Sequence, residues 1–206
     1  MKENNVLWVK AADINHFQLP PHFFWYGRLA SKKMPRLLKR IAHFTYVRLT
    51  RNIWRRGNWD VNSKKFNNTD WHILIEDLIK KRNNYKNSIW YKRAKSSVNS
   101  LGLYIYKNRR ILSEKDLDSF FVDYILKLID SIDDHGWNES LSPDLPTGMI
   151  GRSGEIIKSG AGCHRLAIMR ILNPNMLLPL KIVAIHPYIK KNKVPKNIEK
   201  FISNFY

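Results

Sequence analysis

The sequence predicts a small α+β or α/β protein, a mixed sheet with helices, preceded by a basic helical N-terminal region. Three observations predict it. Short extended runs and one brief helical pattern alternate between Gly148 and Pro187. A long amphipathic pattern starts at Ser113. The stretch between Asp13 and Asp60 is crowded with arginine, lysine and aromatic residues and holds no carboxylate. With 206 residues the chain can bury a core, and its length favours one domain with an appended segment over two large domains. The expected division is a basic, aromatic-rich region over 1–56 and a domain over 57–206 carrying a helical insertion at about 69–135.

In the first region, Pro35 suits the first turn of a helix through Leu37, Leu38, Ile41 and Phe44, whose spacing of three and four is amphipathic. Such a helix can lie on an anionic membrane, pack on its own domain or line a nucleic-acid groove. "NNTDWHILIEDLIKKR" predicts a helix capped by Thr69, with Leu74, Ile75, Leu78 and Ile79 inward and Lys80, Lys81 and Arg82 at the negative end of its dipole. "RAKSSVNSLGLY" predicts a loop. From Ser113, "SEKD" has the form of a capping box with Asp116 in the reciprocal place, and Leu117, Phe120, Phe121, Tyr124, Ile125, Leu128, Ile129 and Ile132 keep helical spacing up to Gly136. After "NESLSPDLPTG", the run "GMIGRSGEIIKSG" predicts a hairpin turning at Ser153 and Gly154. A helix over Cys163–Leu172 then stops at "NPN", and "LLPLKIVAIHP" is a β-branched run of strand length.

Composition bounds the function. The 36 lysines and arginines against 17 aspartates and glutamates give a net charge of +19, which draws nucleic acid, anionic lipid or phosphorylated ligands at long range. No window approaches the roughly 20 apolar residues of a spanning helix, and the first residues lack the pattern of a secretory signal. A single cysteine forms no internal disulfide, so a reducing, cytoplasmic compartment is expected, with peripheral attachment at the inner membrane surface as its variant.

The chemistry concentrates in "KSGAGCHRLAIMRIL". Ser159, Gly160, Ala161 and Gly162 precede a helix, and backbone N–H groups at the positive end of a helix dipole suit phosphate. Small residues let a phosphate approach the backbone, and His164 and Arg165 can add charge-assisted hydrogen bonds. The competing reading is a tight strand-to-helix turn with Arg165 in solvent. Lys158 and Arg152 flank the turn as further phosphate ligands. For a base, Asp60 and Glu155 rank ahead of Asp70, Glu76 and Asp77 because they lie beside recognisable motifs. His186, before Pro187 at a strand end, can face a cleft or be a structural histidine. Cys163, at a helix N-terminus beside His164 and Arg165, has the surroundings of a nucleophilic thiol.

This core, with Gly162, Cys163, His164 and Arg165 opening the helix and Pro179 near the start of the next strand, resembles the phosphate-binding core of the ParB and sulfiredoxin-like superfamily over Gly148–Pro187. "GNWD" at Gly57–Asp60, with the later Trp71, is similar to a ParB-like subgroup found with surface-polysaccharide genes. The resemblance implies a nucleotide, ATP or another nucleoside triphosphate with Mg²⁺, held at Ser159–Arg165. It also implies an ATP-dependent phosphotransferase acting on a sugar, glycan or other hydroxyl acceptor, phosphorylated or membrane-held, with Asp60, Glu155 and His164 as catalytic candidates. The alternative is a nucleotide-regulated nucleic-acid-binding protein, against which stands the lack of a helix-turn-helix pattern after His186. "GCHR" is also the form of the sulfiredoxin active site, where the cysteine reacts. The metal ligands are not legible.

Overall fold

A computed structural model describes residues 5–19, 53–138, 144–189 and 194–205. The expected helix through Leu37, Leu38, Ile41 and Phe44 lies outside the described residues. The chain divides into two compact units. One contains Met1–Phe66, Asp144–Gly162 and Leu178–Tyr206; the other contains Asn67–Pro143 and Cys163–Leu177.

The first unit is built on a six-stranded mixed sheet in the order β1-β8-β6-β7-β2-β3. Its strands are β1 (Val6–Lys10), β2 (His16–Phe17), β3 (Lys64–Lys65), β6 (Thr147–Ile150), β7 (Ile156–Ser159) and β8 (Leu177–Ile185). The α+β class is therefore as the sequence predicts. β6 and β7 form the expected antiparallel hairpin, with Ile150 opposite Ile156 and Thr147 opposite Ser159. Gly154 turns it with φ of 82°, the conformation glycine adopts without steric cost. β8 runs parallel to β6, and β2 runs parallel to β7. Trp59, Met149, Ile157 and Ala184 form an apolar cluster in this unit. The strands at 6–10 and 16–17 belong to this sheet, so residue 56 is not where the compact units part. Their short runs carry too little periodicity to be read as strands.

The second unit holds α1 (Asp70–Lys80), α2 (Ile89–Leu101), the hairpin β4 (Tyr104–Tyr106) and β5 (Arg109–Ile111), α3 (Glu114–Ser119), a π-helical segment (Phe120–Leu126), α4 (Lys127–His135) and α5 (Cys163–Leu172). Thr69 caps α1 as expected, accepting the His72 N–H. Ser113 and Asp116 form the full capping box of α3. The loop expected at "RAKSSVNSLGLY" is a helix instead. Ser88 caps α2, and Trp90, Ala94 and Val98 bury one stripe at spacing four, which outweighs the weak helix preference of the serines. Ser97 Oγ and Ser100 Oγ donate to the carbonyls of Leu103 and Ser96. α5 spans the expected residues and packs on α1 and α4. Among the described residues no helix is long and apolar enough to cross a membrane.

Candidate functional site

The β6–β7 hairpin places the expected site residues at its two ends. At its turn, the Asp60 carboxylate, 1% exposed, accepts from the Arg152 backbone N–H at 3.0 Å and from its guanidinium Nε at 2.8 Å. A guanidinium Nη adds a second contact at 2.8 Å, and the same nitrogen reaches the Gly57 carbonyl at 3.1 Å. Burial alone would raise the Asp60 pKa, but the hydrogen bonds from the Arg152 side chain and N–H outweigh it and hold the carboxyl below its ordinary range. A carboxylate so clamped is a poor proton acceptor.

His186 completes this end. Its Nδ1 accepts the Tyr188 N–H at 3.2 Å, so Nε2 carries the proton that bonds the Gly57 carbonyl at 2.9 Å. Both ring nitrogens are thus engaged by the backbone, and the imidazole is structural. Trp59 packs its ring 5.7 Å from that of His186 and donates its indole N–H to the Arg55 carbonyl. Glu155 accepts the Ser153 N–H at 3.0 Å across the hairpin turn. The "GNWD" segment thus locks the turn of the hairpin.

The opposite end is the turn Ser159–Gly162. Three residue steps of about 3.3 Å separate the two ends, so roughly 10 Å of strand stands between the Arg152 turn and this one. Asp60, Glu155 and Arg152 do not join Lys158 and Ser159 in one cluster. The Lys158 side chain is fully buried, and its ammonium donates to the carbonyls of Thr147 at 2.9 Å, Ser159 at 2.6 Å and Ala161. Lys158 is therefore a scaffold beneath the turn, and a ligand above would sense its charge without touching it.

The position of that ammonium orients the turn. Among the described residues every peptide is trans, and in a trans peptide the carbonyl and the next N–H point in opposite directions. With the Ser159 and Ala161 carbonyls directed at Lys158, the N–H groups of Gly160 and Gly162 are directed away from it. Gly160 and Gly162 have φ of 54° and 88°, and a Cβ on either would come within 3 Å of Thr147 Oγ1 or Pro146. Ala161, between them, is exposed. The Ser159 hydroxyl is buried and has no hydrogen-bond partner among the described residues. Successive strand side chains alternate, so it lies on the face opposite the Lys158 side chain.

No family model, curated protein or solved structure matches the chain.

In the helical unit, His164 is not a cationic phosphate ligand. Its ring stacks on Trp90 at 5.1 Å and 16°, and its Nδ1 lies 3.3 Å from the Tyr106 hydroxyl. Burial, helped by the charge of Lys107, pushes its pKa down to about 4, so the ring is neutral near pH 7. The Arg165 guanidinium sits 4.8 Å over the Trp137 ring. Cys163 is buried and in no disulfide, a setting that disfavours the exposed nucleophile its position suggests. Among the described residues no three His, Cys, Asp or Glu side chains gather into a metal site.

Sequence reasoning missed Thr147, Trp90 and Tyr106. The signal for the Lys158 scaffold was present: a lysine closing the otherwise apolar run "EIIK" of a central strand needs a polar partner at the strand end.

Proposed function

We propose that the chain binds the phosphate groups of a nucleotide on the Ser159–Gly162 turn. One observation carries this reading. The buried Lys158 ammonium draws the turn's carbonyls to one side, which directs the Gly162 N–H, a hydroxyl with no partner among the described residues and the field of a fixed positive charge to the other. An outward amide over a buried cation favours an anion, and Gly160 and Gly162, which leave no room for a side chain against Thr147 and Pro146, hold the backbone of the turn in that orientation. The resemblance to ParB and sulfiredoxin-like proteins supports the same turn.

Magnesium would arrive on the phosphates, where it neutralises their charge. Transfer of a phosphoryl group to a sugar, glycan or other hydroxyl acceptor is the reaction such a site would serve, but neither expected carboxylate is placed to assist it. Asp60 is clamped by Arg152, and Glu155 caps the turn at the far end of the hairpin. Nucleotide binding is the activity these residues support.

The test is a thermal melt with ATP, ADP and CTP, each with and without Mg²⁺. Saturating nucleotide should raise the melting temperature, since a ligand at 100 times its Kd adds about 2.7 kcal/mol to the folded state. Unchanged melting with all three at millimolar concentration sinks the reading.

A further inference from the structure

The β4–β5 hairpin of the helical unit has an inverted surface. Tyr104 pairs with Ile111, Ile105 with Arg110 and Tyr106 with Arg109, joined by the two-residue turn Lys107–Asn108. Its inner face is conventional: Tyr106 and Ile111 are buried in the unit's aromatic core. Its outer face, which in a water-soluble hairpin is normally polar, carries Ile105 at 61% exposure beside Arg110. Leu112 follows at 57%, and Leu101, where α2 ends just before the hairpin, is 76% exposed.

The rim is cationic. Lys107 occupies the tip with φ of 52°, a left-handed conformation in which glycine is the ordinary choice. Arg109 stacks over the Tyr124 ring at 4.3 Å, and Lys107 lies over Tyr106 at 5.6 Å. Neither these two nor Arg110 forms an ion pair among the described residues. Beside the strand a depression of about 390 Å³ is lined by Arg109, Arg110, Ile111, Asp116, Ser119 and Phe120. The one carboxylate there, Asp116, is occupied by the N–H groups of Leu112 and Ser113.

We propose that this hairpin docks on an anionic lipid bilayer, with Ile105 and Leu112 entering the headgroup–acyl boundary and Lys107 and Arg110 meeting lipid phosphates. Charge complementarity selects an anionic partner, and apolar side chains ringed by Lys and Arg are the composition that holds a protein in a membrane interface. Nucleic acid fits less well. Its bases call for exposed aromatic platforms, and Tyr106 faces inward. The site is independent of the phosphate-binding turn.

The full chain should cosediment with vesicles of phosphatidylglycerol and phosphatidylcholine in equal parts and not with phosphatidylcholine alone. Lys107→Gln with Arg110→Gln should lower partitioning roughly tenfold or more, as should Ile105→Asn with Leu112→Asn. Other basic segments of the chain can also reach a membrane, so a location readout is required. A bimane label on Leu112→Cys should be quenched by a lipid-borne nitroxide in the phosphatidylglycerol-containing vesicles and not in phosphatidylcholine alone. Wild-type partitioning in both double variants would overturn the assignment, and so would an unquenched Leu112 label on vesicle-bound protein. A Leu112 label that responds to RNA but not to vesicles would reassign the surface to nucleic acid.

Discussion

The β6–β7 hairpin ends on a charge at both tips, and the two charges are handled in opposite ways. At the turn, the Asp60 carboxylate meets a guanidinium and a backbone N–H, so the cluster closes on itself. At the other tip, the Lys158 ammonium meets dipoles, three backbone carbonyls, and its field extends through the turn. An ion pair cancels its far field, whereas a cation solvated by carbonyls keeps most of it and turns the matching N–H groups outward. The difference separates a structural lock from a binding surface, although both tips carry residues that the sequence offers as functional candidates.

The largest break in that comparison should come from Asp60→Ala. It strips the carboxylate from Arg152 and opens the "GNWD" segment, at a cost of about 3 kcal/mol in urea unfolding, near the low end for a broken buried pair because Arg152 is partly solvated. The nucleotide-induced rise in melting temperature should survive in the folded fraction. Loss of that rise with stability unchanged would reverse the roles of the two tips.

Acid should separate the units next. His164 has its folded pKa pushed to about 4 against an ordinary 6.5, so the unfolded chain takes up a proton first as the pH falls. The stability it contributes is full above pH 6.5 and lost between 6.5 and 4, on the order of 2 kcal/mol after allowing for the ring's residual solvent contact. Asp60 acts lower: its depressed pKa gives stability that is present above about 3.8 and lost below it. His164→Gln should flatten the upper window alone, as read from urea midpoints across pH. An unchanged slope between pH 6.5 and 4 in that variant would refute the buried, neutral ring.

Lys158→Met comes third, at about 1–2 kcal/mol, because the hydrogen bonds it loses are partly offset by no longer burying an ammonium. Its larger effect should be on nucleotide, whose binding loses the fixed charge. Equal affinity in wild type and variant, measured by calorimetry, would leave Lys158 as scaffold only.

How much of this was legible in the sequence follows from what each element depends on. The capping box at Ser113, the α5 boundaries and the β6–β7 turn are local, set by a few adjacent residues, and they stand as expected. The α2 helix was hidden because its serines mask a stripe of Trp90, Ala94 and Val98 that only a tertiary core makes decisive. The site candidates were recognisable as residue types, but their grouping was not. Arg152 and Lys158 are six residues apart and read as phosphate ligands of one turn, and a hairpin puts them at opposite ends. Their partners differ too: Lys158 bonds carbonyls within eleven residues of itself, whereas Arg152 pairs with Asp60, 92 residues away, which no local pattern specifies.

The smallest expected change in stability is also the sharpest test of the open tip. Ser159 Oγ is buried and makes no hydrogen bond among the described residues, so Ser159→Ala removes a group that contributes no bond to the ligand-free fold. Stability should stay within about 0.5 kcal/mol of wild type or rise, because an unsatisfied buried hydroxyl costs free energy that alanine does not. If a phosphate oxygen supplies the missing partner, nucleotide affinity should fall about tenfold, the worth of one charge-assisted hydrogen bond. Stability and affinity then move in opposite directions in a single variant, which a general loosening of the fold cannot produce. A variant that is both less stable and unaltered in affinity would show that the hydroxyl serves the turn itself, and the open tip would be a second lock.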